Sequence, residues 1–338
     1  MGATLKDVAA LAKVHPSTVS RVLRNVENLK ISKDTKERIF KAINELNYQP
    51  DQTARSLKLK KSHTIGLIIP NIASPYFIGI ARSLDDECSK NGYTLIISDT
   101  HENQEKEIKA INDLYSRGVD GLVIAPVQDS DEHIKDLINK NFPFVLIDRY
   151  FDKYETNAVI CNDKNSAFNA VQHLIDLGHK RIGFISGRAN LYPVVERLVG
   201  YKEALLQNNI EFHEELVYSS TPTVEDAYVS SNKLIDLPDP PTAIIISGTV
   251  ITLGVLKTII ERGKLIPEDL SIIGYTDTIL ASYFISPVST VSHKVKEIGV
   301  ESFKILYEHM NSTEGLPYSK VVIDTYFVDR NSTAKANI

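Results

Sequence analysis

From Ile65 onward the chain alternates short apolar runs with helix-patterned stretches, and this alternation restricts its fold more than any other feature. The runs fall at 65–69, 94–98, 121–125 and 144–148, with helical periodicity at 78–90 and 104–117 between them. A second series follows at 181–185, 242–247 and 271–275. Unbroken apolar runs of this length suit strands buried on both faces, as in parallel sheets covered by helices. Two series predict two doubly wound parallel-sheet lobes, each able to bind ligands beyond the carboxyl ends of its strands. A chain of 338 residues exceeds one ordinary core, and 43% apolar with 24% charged residues fits a soluble globular protein. No stretch approaches the roughly 18 apolar residues of a membrane span, and the first residues lack a signal-peptide core. The expectation is a cytoplasmic protein with no membrane partner. Cys88 and Cys161 are the only cysteines and read as buried small hydrophobes, without disulfide or metal spacing.

Charge divides the chain. Residues 1–62 hold 13 Lys and Arg against 6 Asp and Glu, whereas the rest holds 25 against 37. A small basic head on a large acidic body points to nucleic acid. In that head Thr4 and Asp7 form a capping-box variant before an apolar face of Leu5, Val8, Ala9 and Ala12. After a turn at 13–15, Pro16 opens a second helix, since its missing donor costs nothing there. Val19, Val22 and Leu23 face inward to meet Val8 and Leu11, leaving Pro16, Ser17, Ser20, Arg21 and Arg24 outside. A third helix, capped by Ser32, turns Ile39, Phe40, Ile43 and Leu46 inward. Three short helices with a polar, basic second helix have the shape of a major-groove reader. Residues 48–58 could add a helix of under two turns, too short to be stable alone, and so a segment that orders on binding.

The strings TLKDVAALAKV, STVSRVL and YQPDQTARSL, in this order and spacing, resemble the DNA-binding signature of the lactose-repressor/galactose-repressor (LacI/GalR) family. The resemblance implies a helix-turn-helix head over 1–48 and a hinge helix with linker over 49–62. It places Thr4, Pro16, Ser17, Thr18, Arg21 and Arg24 of the head against double-stranded DNA, with Arg55, Leu57 and Lys58 of the hinge. Arg21 would make a bidentate contact with guanine, worth roughly 1–3 kcal/mol of discrimination. Leu57 would wedge into the minor groove beside its twin from a second subunit. His15 stands where the family often has a serine cap, and Lys13 where a small turn residue is usual.

Similarity to the family extends through the body in NIASPYF, GVDGLVIAP, LGHKRIGFI, ERLVGYKEAL, PEDLSIIGY and DRNST. It implies a periplasmic-binding-protein-like body, one lobe over 63–161 plus about 291–325 and the other over 162–290 plus about 326–338. Ending in a polar tail without heptads, the sequence is expected to give a homodimer. Family ligand loops correspond here to Asn71, Ser74, Tyr76, Phe77, Asp148 and Arg149, and Arg197 occupies the ligand-facing arginine position. Ser247, Thr249 and Thr276 are also expected to contact the effector, although the family usually reads Asn-Asp where Gly248-Thr249 stands and Asp where Thr276 stands. With those acids missing, Arg149 and Arg197 favour a phosphorylated or carboxylated effector, although a sugar stays open. No Walker loop, HExxH, GxSxG or kinase signature is present, and the histidines do not cluster, so neither enzyme chemistry nor a cofactor is expected. The function expected is a DNA-binding regulator, most simply a repressor, controlled by a small molecule in the interlobe cleft. The alternative is a cytoplasmic binding protein of the same body fold with no regulatory DNA role.

Overall fold

The computed structural model describes residues 3–23, 31–48, 61–219, 221–284, 286–312 and 315–336. These fall into two compact units, residues 1–62 and 63–338. In the head, α1 (Leu5–Leu11), α2 (Pro16–Leu23) and α3 (Lys33–Glu45) enclose a small core of Val8, Ala9, Ala12, Val19, Val22, Ile39, Ala42 and Tyr48. The capping box is formed: Thr4 N–H donates to Asp7 Oδ2 at 2.7 Å and Asp7 N–H to Thr4 Oγ1 at 3.4 Å. Ser32 Oγ accepts from Thr35 N–H at 3.2 Å, starting α3 where the sequence placed it. Two core expectations fail. Phe40 and Leu11 are exposed, and the inward positions are taken by Val8 and Ala9 in α1 and by Ile39 and Ala42 in α3. The short helix expected over 48–58 lies, but for Tyr48, outside the described residues.

The first lobe begins β1 (Thr64–Ile69), α4 (Pro75–Lys90), β2 (Thr94–Asp99), α5 (Gln104–Ser116), β3 (Gly121–Ile124), α6 (Glu132–Asn139), β4 (Phe144–Ile147), β5 (Ala158–Cys161). The chain then builds α7 (Asp163–Asp176), β6 (Ile182–Ser186), α8 (Tyr192–Gln207), β7 (Val217–Ser219), α9 (Val224–Ile235), β8 (Ala243–Ile246), α10 (Thr249–Glu261), β9 (Ser271–Tyr275), α11 (Ile279–Tyr283) and β10 (Ser289–Ser292) of the second lobe. It crosses back for α12 (Val295–Asn311) and β11 (Lys320–Ile323), then returns for β12 (Tyr326–Val328). One sheet has the order β11-β5-β4-β3-β1-β2 and the other β12-β10-β9-β8-β6-β7. Among the described residues all pairings are parallel except β12 against β10, an antiparallel edge on an otherwise parallel sheet.

Alternation along the strands explains the two faces. Ile65, Leu67 and Ile69 of β1 join the core under α4 and α12, while Ile68 joins Ile111, Leu114 and Ile134 from α5 and α6. In the second lobe Phe184 and Ile245 pack with Leu174 and Tyr201, whereas Ile185 and Ile246 pack with Leu234 and Val255. The five short strands β5, β7, β10, β11 and β12 escaped the sequence pattern, which resolves runs longer than three or four residues best. In each sheet the strand order reverses direction once, between β1 and β3 and between β6 and β8. Crevices at such reversals, outside the carboxyl ends of strands, are where open α/β sheets hold ligands.

Candidate functional site

In the head, α2 buries Val19 and Val22 and exposes Ser17 and Arg21, so its polar face is open. Pro16 and Thr18 are half-buried. His15 acts as the cap of α2: its Nδ1 accepts from Ser17 N–H at 3.2 Å and lies 2.7 Å from Ser17 Oγ. A histidine thus does the work expected of serine, and it holds one of the residues assigned to base edges. Arg24, Arg55, Leu57 and Lys58 lie outside the described residues.

In the body, the loops at the two strand-order reversals face one another. Arg188, after β6, pairs with Asp129, after β3, and its Nη1 lies 3.7 Å from Glu102 Oε2. Tyr192 N–H, at the start of α8, donates to Gln128 Oε1 at 2.9 Å. Beside these, Lys320 Nζ lies 4.0 Å from the ring centroid of Tyr150 and 5.8 Å from that of Tyr192. Buried Glu107 steadies the first-lobe loop by accepting from Val127 N–H at 2.6 Å and contacting His133 Nε2 at 2.5 Å.

A buried polar cluster surrounds Arg197. Its Nε donates to Asp163 Oδ1 at 2.7 Å, its Nη1 to Ser247 Oγ at 2.9 Å and its Nη2 lies 3.3 Å from His293 Nε2. The guanidinium carbon stands 4.2 Å from the Tyr275 ring centroid, and Tyr275 Oη is 3.0 Å from Ser166 Oγ. His293 lies on the segment crossing from β10 to α12 and meets Tyr76, from the first lobe, at 4.9 Å between ring centroids. Burial pushes the Asp163 carboxyl up to about 6 against the pull of Arg197, and it raises Asp148 as well. Burial, with Arg197 beside it, drives His293 down to about 3, so the ring is neutral at pH 7.

Of the candidate ligand residues, Tyr76, Asp148, Arg197 and Ser247 meet at or next to this cluster. Phe77 belongs to the first-lobe core, while Asn71 is exposed and uses Oδ1 to accept from Ala73 N–H at 2.8 Å. Ser74 precedes α4 without a side-chain capping bond. Thr249 and Thr276 line a small recess with Thr252, Tyr275, Thr278 and Phe284. Arg149 is committed elsewhere: it forks onto Glu102 at 2.9 and 2.7 Å and donates to Pro126 O at 3.0 Å. The sequence favours an anion because fewer acids oppose Arg149 and Arg197 than is usual in the family; in the structure Arg149 pairs with Glu102 and Arg197 with Asp163. Neither acid, nor His293, was legible as a site residue, because each reaches its arginine from tens of residues away. Cys88 and Cys161 are buried as expected. Among the described residues no helix is long and apolar enough to cross a membrane, and no group of three potential ligands could hold a metal.

Two known families match this chain. Residues 4–51 match "Bacterial regulatory proteins, lacI family" and residues 171–333 a "Periplasmic binding protein-like domain". The chain is 32% identical to the HTH-type transcriptional repressor PurR of Vibrio atlanticus (strain LGP32) over 314 residues, 92% of this chain and 93% of that protein. It is 32% identical to catabolite control protein A of Priestia megaterium over 313 residues, again 92% and 93%. Among solved structures, a complex of the transcriptional regulator CelR with cellobiose superposes with a TM-score of 0.74 at 27% identity, covering 98% of this chain and 99% of that one.

Proposed function

The chain belongs to the lacI family of bacterial regulatory proteins, and from that premise we propose that it is a homodimeric repressor whose hold on a near-palindromic operator is set by a small neutral effector between its lobes. The observation that carries the DNA reading is the open face of α2, where Ser17 and Arg21 are exposed opposite buried Val19 and Val22. A second copy would dock on the first lobe, where Ile78 of α4 and Ile96 and Ile97 of edge strand β2 are exposed together with Ile72. An apolar sheet edge of this kind invites pairing. Leu57 of each subunit would then meet at the operator centre.

Footprinting DNA that flanks the coding region at low salt should show a roughly twofold-symmetric site. No protection at all would sink the regulator reading, and a single protected half-site would remove the dimer. Arg21→Ala should lose about 1–3 kcal/mol of discrimination at one base pair while keeping salt-sensitive non-specific binding. Equal weakening on every sequence would make Arg21 a phosphate contact only.

The effector reading follows from charge. Arg149, Arg188 and Arg197 are each matched by an acid, and Asp148 and Asp163 both sit near Arg197. An added anion would meet carboxylates without a spare cation, whereas hydroxyls would find both donors and acceptors. A thermal-shift screen should therefore show stabilisation by neutral sugars and none by their phosphates. The reverse ranking would restore an anionic effector.

A further inference from the structure

Hydrogen-bond polarity runs one way at the start of α2. Pro16, its first residue, has no N–H, so Ser17 supplies the first backbone donor, and that donor points at His15 Nδ1 at 3.2 Å. A ring nitrogen that receives a backbone N–H carries no proton of its own, so the proton of a neutral His15 ring stands on Nε2. Ser17 Oγ lies 2.7 Å from the same Nδ1. With only a lone pair opposite it, the hydroxyl donates, and its one hydrogen is used there. Ser17 is exposed on the face of α2 that also carries Arg21, opposite buried Val19 and Val22. Its oxygen therefore offers lone pairs alone to whatever docks on that face. In a helix-turn-helix the first residues of the second helix meet base edges in the major groove. Adenine and cytosine present an exocyclic amino donor there, whereas guanine and thymine present an oxygen at that place.

We infer that His15 is a positioning residue for base recognition: by taking the Ser17 hydroxyl hydrogen it makes Ser17 an acceptor only, so that at one base pair of each half-site α2 selects adenine or cytosine over guanine or thymine. The inference rests on the DNA reading above. A free serine hydroxyl rotates and serves a donor or an acceptor alike, so by itself it discriminates little between bases. Held on Nδ1, it would set its lone pairs against guanine O6 or thymine O4 and leave both acceptors unpaired. The cap is a separate effect. Losing Nδ1 leaves Ser17 N–H without its partner and weakens the head on every DNA sequence equally.

The test starts from the whole protein and a duplex library of about 20 randomised base pairs, room for two half-sites one helical turn apart. Fluorescence anisotropy then reads binding to the selected operator and to versions altered at single pairs. Ser17→Ala marks the pair that Ser17 reads, as the one whose alteration no longer matters to it. At that pair, purine in place of adenine, or 2-pyrimidinone in place of cytosine, deletes the amino group. The deletion should weaken wild type at least about fivefold more than it weakens Ser17→Ala. His15→Ala frees the hydroxyl to donate, so its penalty for guanine in place of adenine, or thymine in place of cytosine, should shrink at least about fivefold. A histidine that only capped the helix would lower affinity for all sequences and leave that penalty as it was. His15→Asn, whose carbonyl oxygen can accept from both Ser17 donors, should keep the wild-type penalty. The amino deletion needs no change at His15, and it decides the matter if His15→Ala does not fold. Equal cost of the deletion in wild type and Ser17→Ala, no pair that responds to Ser17→Ala, an unaltered penalty in His15→Ala or a lost one in His15→Asn overturns the inference and leaves the DNA reading intact. Enrichment of no sequence at all by wild type overturns both.

Discussion

Replacing Gly200 with alanine is expected to unfold the second lobe. Gly200 lies in α8 where that helix crosses α7, and a Cβ there would collide with the Lys164 carbonyl oxygen. It would also lie 2.9 Å from the Lys164 carbonyl carbon and 3.0 Å from the Phe168 backbone nitrogen. Backbone cannot swing aside as a side-chain end can, so the two helices must separate. Their separation would open the core around Tyr201, Leu205 and Leu174. The cost should exceed the roughly 1–3 kcal/mol usual for overpacking. Gly92→Ala is the control: its φ of +74° strains any side chain, but nothing lies within 4 Å of the added methyl. Urea unfolding should show a large loss for Gly200→Ala and a loss of about 1 kcal/mol for Gly92→Ala. Equal midpoints would mean that the α7–α8 contact is soft.

Arg197→Met is expected to cost about 3–5 kcal/mol at pH 8, because it leaves a buried carboxylate without its cation. The loss should shrink as pH falls. Asp163 in the folded protein titrates near 6, above its ordinary value of 3.8. Its favourable contribution is therefore complete below about pH 4 and is lost as pH rises through about 6. Removing Arg197 takes away the charge that lowers this carboxyl, so its titration moves higher still and the high-pH penalty deepens. Urea unfolding at pH 5 and pH 8 separates the outcomes. A loss of equal size at both would show that Asp163 is not the charged partner. Effector binding should vanish in the same variant at either pH.

Much of the architecture was legible because it is written in local patterns. Unbroken apolar runs located seven strands, and the caps Thr4 and Ser32 located helix starts within a residue. Errors arose where packing competed with pattern. Phe40 fits the apolar stripe of α3, yet the inward positions of that helix are taken by Ile39 and Ala42. Strands of three or four residues, such as β7 and β12, carry too little periodicity to stand out.

The sequence by itself determined the class of molecule: a basic three-helix head ahead of two wound sheets, with signature strings that name the family. These signals are short-range, so one chain suffices to read them. The tertiary structure alone decided the electrostatics of the cleft. Asp163 and Arg197 are 34 residues apart, Glu102 and Arg149 are 47, and Arg197 and His293 are 96. Only folding shows which acid neutralises which arginine, and only folding supplies the burial that lifts Asp163 and, with Arg197 beside it, holds His293 neutral. An apparent excess of cations in the sequence becomes, once folded, a set of arginines each paired with an acid.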